Sequence, residues 1–311
     1  MGAGPLCPKR SISRATEAMA ARPAGRAPAR ERAPRALLPR EGGAGSWRVG
    51  SGAASVAAAR GERPPRHPAP MKKGQLLIVD SPAQIAQLAA ERVEAAMAQA
   101  VRERGRAALA LSGGATPRPL HRLLAERNRI DWAHLDLYFS DERCVPPDDP
   151  ESNYGAALTD LLEQLPGALP RVFRAEGEAA DREAAAARYA AKLPERFDLI
   201  LLGMGPDGHT ASLFPGDAVA VGEQQRRALF VRGPKPPHER FTLSPPVFAA
   251  ARALLVLVHG SDKALALARA LEGTFEPLRC PVQLVRQATF LVDRAAASEL
   301  SAGTLSAAGA A

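Results

Sequence analysis

Short apolar runs recur from residue 76 onward, separated by longer stretches in which Ala, Glu, Arg and Gln repeat with a helical period. The runs predict strands at 76–80, 107–112, 136–140, 198–202, 253–258 and 282–285, with shorter ones near 171–174, 228–232, 240–243 and 289–292. The 3.6-residue spacing predicts helices at 82–104, 117–128, 152–165, 178–193 and 261–272. Leu199-Ile200-Leu201-Leu202 and Leu254-Leu255-Val256-Leu257-Val258 have no polar face, as expected of central parallel strands covered on both sides. The expected class is therefore α/β: one domain built on an open, mostly parallel sheet with helices on both faces. No internal repeat is visible.

The first 70 residues break this pattern. They hold 10 Pro and 9 Gly but only eight of Val, Ile, Leu, Met and Phe. That is too little apolar surface to offset the entropy of ordering the backbone, so residues 1–70 read as a disordered extension and 71–311 as the folded domain. Met71 is a candidate start of translation. An Arg-rich, acid-poor targeting peptide is the competing reading, against which stand the ten prolines and the weak amphipathic period.

Charge follows the same boundary. Of the 41 Lys and Arg and 33 Asp and Glu, residues 1–70 carry 13 and 4, a net of +9, which leaves −1 for the remainder. The body thus has no electrostatic signature of nucleic-acid binding, and nucleic acid is not an expected partner. No apolar run reaches the roughly 18 residues of a membrane span, so no membrane association is expected either. Three scattered cysteines, Cys7, Cys144 and Cys280, exclude a disulfide framework and fit a reducing, cytoplasmic setting.

In such a sheet ligands bind beyond the carboxyl ends of the strands, which directs attention to three loops. In Ser112-Gly113-Gly114-Ala115-Thr116-Pro117, Thr116 suits an N-cap and Pro117 the first helical position. The paired glycines would let an anion approach free amides at the helix start; the alternative is a tight turn without ligand. The second loop runs Ser140-Asp141-Glu142-Arg143-Cys144, with Ser152-Asn153-Tyr154 following. Arg143 would pair with a phosphate or a developing oxyanion, or else close a structural ion pair. Cys144 has no base nearby in sequence and is a poor nucleophile candidate.

The third loop contains Gly203-Met204-Gly205-Pro206-Asp207-Gly208-His209. Its glycines satisfy G-x-G-x-x-G, but Asp207 and His209 crowd the place of a pyrophosphate and no acid-tipped second strand follows, so a dinucleotide is not expected. His209, read as lying at a helix start where the dipole keeps it neutral, is the best general-base candidate of six histidines. His121 and His134 read as ordinary surface residues, and His259 as a weaker second candidate. No histidine pair has ligand spacing, so no metal is expected.

Together these segments resemble the 6-phosphogluconolactonase family: Ser112 to Pro117, Asp141-Glu142-Arg143 with Ser152-Asn153-Tyr154, and Gly203 through Leu213-Phe214-Pro215-Gly216. Two further pieces fit, Glu239-Arg240-Phe241-Thr242-Leu243 and Gly260-Ser261-Asp262-Lys263-Ala264, and the likeness runs in order from about 76 to 300. It leaves residues 1–70 unexplained. Ala115 departs from the usual Ser, which removes a hydroxyl but no backbone amide.

The resemblance implies a Rossmann-like fold of the sugar-phosphate isomerase type and cofactor-free hydrolysis of 6-phosphoglucono-1,5-lactone, in a monomer or homodimer. It implies substrate binding by Ser112, Gly113, Gly114, Thr116, Asn153, Arg240 and Lys263. His209 would be the base and Arg143 the oxyanion partner, with Asp207 or Asp141 orienting one or the other. The related aminosugar-6-phosphate deaminase/isomerases continue with Phe-Asn-Glu-Pro where this chain has Leu213-Phe214-Pro215-Gly216, so the glutamate that supports their histidine is missing. That isomerase activity, or a non-catalytic sugar-phosphate-binding module, is the alternative reading.

Overall fold

The computed structural model describes residues 74–310. The expectations for residues 1–70, including the start at Met71 and a targeting peptide, lie outside the described residues. The elements follow in the order β1 (Leu76–Val79), α1 (Pro82–Arg104), β2 (Ala107–Leu111), α2 (Arg118–Arg127), β3 (Leu135–Phe139), β4 (Asp141–Arg143), α3 (Asn153–Asp160), β5 (Arg171–Val172), α4 (Arg182–Lys192) and β6 (Leu199–Gly203). They continue with α5 (Ala218–Val221), β7 (Ala228–Arg232), β8 (Glu239–Leu243), α6 (Pro245–Ala250), β9 (Leu254–Val258), α7 (Ala264–Glu272), β10 (Thr289–Asp293), α8 (Ala302–Ala307) and β11 (Gly309–Ala310).

Eight strands form one sheet in the order β11-β1-β10-β9-β6-β2-β3-β5, every pair parallel. β2 and β9 are buried at every position, because alternate residues feed two separate cores. Leu109, Leu111, Leu255 and Leu257 pack with α1 and α2 on one face. Ala108, Ala110, Val256 and Val258 pack on the other with α4, α7 and a second, antiparallel sheet in the order β4-β8-β7. Local signals mark the helices well. In α1, Ser81 caps Gln84 N–H, Pro82 takes the first turn and Gly105 closes the helix at φ 77°.

Several expectations need correction. Residues 282–285 are not a strand: Pro281–Val285 forms a 3-10 helix, and the sheet position belongs to β10. Pro281 cannot donate to a ladder, and Val282 and Val285 are both buried at the three-residue spacing that such a turn aligns. The helix expected at 152–165 ends at Asp160 and continues as a 3-10 turn, Leu162–Gln164. The one expected at 178–193 begins only at Arg182, where Asp181 caps Ala184 N–H at 3.0 Å. Thr116 does not cap α2, which starts at Arg118 with no side-chain cap.

His121 is not a surface residue. It is 2% exposed inside α2, and neither ring nitrogen has a partner. Burial pushes its pKa from 6.5 down to about 4, with Asp160 opposing and Arg118 adding to the shift. Because the folded value is depressed, the stability held in the neutral ring is full above about 6.5 and is lost as the pH falls toward 4. The loss amounts to about 3 kcal/mol. Urea unfolding at pH 7.5 and 4.5 should therefore show a smaller acid loss in His121→Phe than in the parent chain. Equal losses would place the acid sensitivity elsewhere.

Candidate functional site

The strand order reverses between β2 and β6. From β2 the chain builds outward through β3 and β5; from β6 it builds the opposite way through β9 and β10. This is the topological switch point at which a crevice opens beyond the carboxyl ends of the strands. The loops after β2 and β6 both empty into it. A cleft of about 170 Å³ is lined there by Ser112, Gly113, Gly114, Thr116, Asp141, Arg143, Asn153, His209 and Arg240, along with Met204 and Ala211. Two expected residues, Asp207 and Lys263, do not line it. Asp207 lies behind His209, while Lys263, on the loop after β9, places its Nζ 2.8 Å from Asp262.

His209 is not at a helix start. The chain after β6 closes into a turn in which Gly208 N–H donates to Gly205 O and Gly205 N–H to His209 O, both at 3.0 Å. The next helix, α5, begins only at Ala218. The helix-dipole argument for a neutral imidazole therefore falls; what the turn supplies is a carboxylate that orients the ring and selects its tautomer. His209 Nδ1 lies 2.6 Å from Asp207 Oδ1, which also accepts the His209 backbone N–H at 3.2 Å. An anionic acceptor places the proton on Nδ1 and leaves Nε2 with a free lone pair. Burial alone would raise the Asp207 pKa, but the hydrogen bonds and charge of His209 outweigh it and hold the carboxyl below its usual range.

Gly205 makes this pair possible. A Cβ there would fall 2.1 Å from both Cε1 and Nδ1 of His209 and 2.6 Å from Asp207 Oδ1. Gly205, one of the glycines that imitate a dinucleotide motif, thus serves to admit a ring. The turn is tight enough to hold Gly208 at φ 87° and the non-glycine Ala211 at 47°.

The segment read as the second loop is β4, paired antiparallel with β8 in the small sheet. Asp141 points to Ser212, whose Oγ donates to Oδ2 at 2.8 Å, while Asn153 Nδ2 donates to the Asp141 carbonyl at 2.9 Å. Of the two carboxylates offered as the histidine's partner, Asp207 is the one bonded to it. Glu142, singled out for no role in the sequence, is 3% exposed and accepts the backbone N–H groups of Arg143, Asn153 and Tyr154 at 2.7 to 2.8 Å. It ties β4 to the start of α3 and so fixes Asn153. No local signal announces this, since donor and acceptor lie 11 residues apart.

The cleft favours anions. Among the described residues, no carbonyl or side chain accepts from the amides of Gly113, Gly114 or Thr116. Gly113 is held close to Asn153: a Cβ would fall 1.8 Å from its Oδ1. Opposite, Arg143 and Arg240 are directly paired across β4 and β8, a like-charge contact that is unfavourable unless an anion bridges it. Burial lowers the Arg240 pKa, Arg143 lowers it further, and Asp141 opposes. Arg240 Nε donates to Pro237 O at 3.0 Å, and its guanidinium carbon lies 5.7 Å from the centre of the Phe214 ring. Arg143 holds Glu151 through Nη1, while its buried Nε has no partner.

The remaining candidates fall away from the chemistry. Burial pushes the Cys144 thiol up to about 12. His238 Nδ1 lies 2.8 Å from the Gly233 carbonyl, His134 pairs with Asp131 on the surface, and His259 does not line the cleft. Among the described residues, no three of His, Cys, Asp and Glu converge to hold a metal, and no helix is long and apolar enough to cross a membrane.

Residues 80–292 match the family described as glucosamine-6-phosphate isomerases/6-phosphogluconolactonase. The 6-phosphogluconolactonase of Streptomyces coelicolor is 39% identical over 248 residues, covering 73% of this chain and 94% of its own. The human 6-phosphogluconolactonase is 39% identical over 236 residues, covering 70% and 89%. Among solved structures, 6-phosphogluconolactonase from Trypanosoma cruzi superposes with a TM-score of 0.65 at 28% identity, covering 76% of this chain and all of that one.

Proposed function

This chain belongs to the family of glucosamine-6-phosphate isomerases and 6-phosphogluconolactonases, and from that premise we propose that it hydrolyses 6-phospho-D-glucono-1,5-lactone to 6-phospho-D-gluconate with His209 as general base. It is a carboxylic ester hydrolase of the oxidative pentose phosphate pathway. One arrangement carries the reading: the open Nε2 side of the His209–Asp207 pair shares a small cleft with the free amides of the glycine loop and two adjacent arginines. Such a site suits a substrate with a reactive carbonyl at one end and a dianion at the other.

The phosphate docks on the amides of Gly113, Gly114 and Thr116 and on Arg240, while Ser112 and Asn153 meet the sugar hydroxyls. Lys263, on the loop after β9 and held by Asp262, adds positive charge from outside the cleft lining. Anchored this way, the lactone presents C1 to a water held by Nε2. As the water oxygen bonds to C1, Nε2 takes its proton, and the Asp207 carboxylate stabilises the imidazolium. The Arg143 guanidinium, which lines the cleft, meets the oxyanion, a contact worth about 3 kcal/mol for one good donor. The C1–O5 bond then breaks, the electron pair stays on O5, and Nε2 returns the proton there. A lactone is already activated and water is the nucleophile, so the sequence of steps calls on no cofactor.

Phe214, where the related isomerases carry a Phe-Asn-Glu-Pro segment, places its ring 4.9 Å from that of His209 instead of a second carboxylate. This favours ester hydrolysis over ring opening and deamination. Cys144 and Cys280 are free thiols, in keeping with a cytoplasmic enzyme, acting as a monomer or homodimer. The deciding assay couples freshly generated 6-phosphogluconolactone to product formation, corrected for spontaneous hydrolysis; a rate no higher than the uncatalysed one would reject the proposal. Arg240→Ala should raise KM by about 10- to 100-fold with kcat within a few fold. An unchanged KM would move the phosphate elsewhere.

A further inference from the structure

The base and the cations of this site belong to different sheets. His209 rides on the loop after β6 of the parallel sheet, whereas Arg143 and Arg240 ride on the antiparallel sheet. Their separation is set by whatever packs between the two. Ser212 provides one link, through Asp141 Oδ2 at 2.8 Å and Thr242 Oγ1 at 3.2 Å. Phe214 provides the other. Its ring centre lies 4.9 Å from the His209 ring on one side and 5.7 Å from the Arg240 guanidinium carbon on the other, and the residue is only 7% exposed. The ring has no slack at its tip. A Cβ on Gly233 would fall 2.8 Å from Phe214 Cε2 and Cζ and 3.2 Å from Arg240 Nε.

We propose that Phe214 is a positioning residue that fixes the distance between the imidazole and the Arg240 guanidinium, and thereby selects lactones whose phosphate lies at the matching distance from the carbonyl. The aromatic face attracts the guanidinium and limits its swing, so the cation waits where the phosphate arrives. The same ring packs against the imidazole at a 45° tilt while Asp207 holds Nδ1. A sugar lactone without phosphate uses the imidazole but not the Arg240 contact, so its turnover depends on Phe214 only through the base. The inference rests on the lactonase reading above.

The test compares kcat/KM for 6-phosphogluconolactone and for unphosphorylated glucono-1,5-lactone. Phe214→Leu should lower the preference for the phosphorylated substrate by about tenfold, chiefly through KM, while Phe214→Tyr keeps it within about threefold of the parent. Gly233→Ala, which displaces the ring without removing it, should shift the preference in the same direction. A general loss of structure would depress both substrates alike, so an unchanged ratio in folded Phe214→Leu overturns the proposal. Should that variant not fold, the ratio in Gly233→Ala decides. A parent enzyme with no preference for the phosphorylated lactone would overturn the lactonase reading and this inference together; a normal parent with insensitive variants overturns this inference alone.

Discussion

Replacing His209 by alanine should lower kcat by about 10²- to 10⁴-fold, the range over which positioned acid–base groups contribute. Among the side chains lining the cleft, the imidazole has Asp207 held on Nδ1, and in the proposed mechanism its Nε2 takes the proton from water. Asp141 cannot substitute, because its oxygens are committed to Ser212 and Asn153. The phosphate contacts proposed above come from other elements, the loop after β2 and strand β8, so the inhibition constant for 6-phosphogluconate should stay within a few fold. A large fall in kcat with retained product binding is the expected pattern. Near-normal turnover would remove the histidine from the mechanism.

Asp207→Asn should lower kcat by about 10²-fold or more while leaving KM nearly unchanged. The amide keeps the shape but not the charge. It no longer stabilises the imidazolium formed in the transition state, and when its NH₂ faces Nδ1 the proton is driven to Nε2, the wrong nitrogen for a base. The substitution imitates the protonated carboxyl at every pH. In the parent that form appears only as the pH falls through the depressed Asp207 value, so the carboxylate and whatever stability its pair adds are present throughout the neutral range. Asp207 is well exposed, and the effect on the thermal midpoint should be small. A variant with kcat within threefold of the parent would show that the 2.6 Å contact does not orient the ring.

The parts of the fold that could be read from sequence were those whose cause is local. The two-faced apolar runs at 199–202 and 254–258 did become central strands, since a run without a polar face has no other stable place in a layered domain. The glycine loop and the Asp207–His209 turn could be located because they follow such strands. The errors have a common origin in partners distant along the chain. β4 is three charged residues whose strand conformation comes entirely from β8, about a hundred positions later. Val282 and Val285 look like strand residues until Pro281 and a saturated sheet exclude them. His121 carries a polar ring into the interior because α2 is packed on α1 and the sheet, which its neighbours Arg118 and Arg122 do not reveal.

The class of fold, its central strands and the candidate base were set by hydrophobic period and by chemistry written in contiguous residues. How Arg143 and Arg240 come to be paired at one cleft, what fixes Asn153 and where Phe214 stands between His209 and Arg240 were decided by tertiary structure alone. These depend on distances between segments up to about a hundred residues apart, and such distances exist only once both cores are packed and the two sheets have docked.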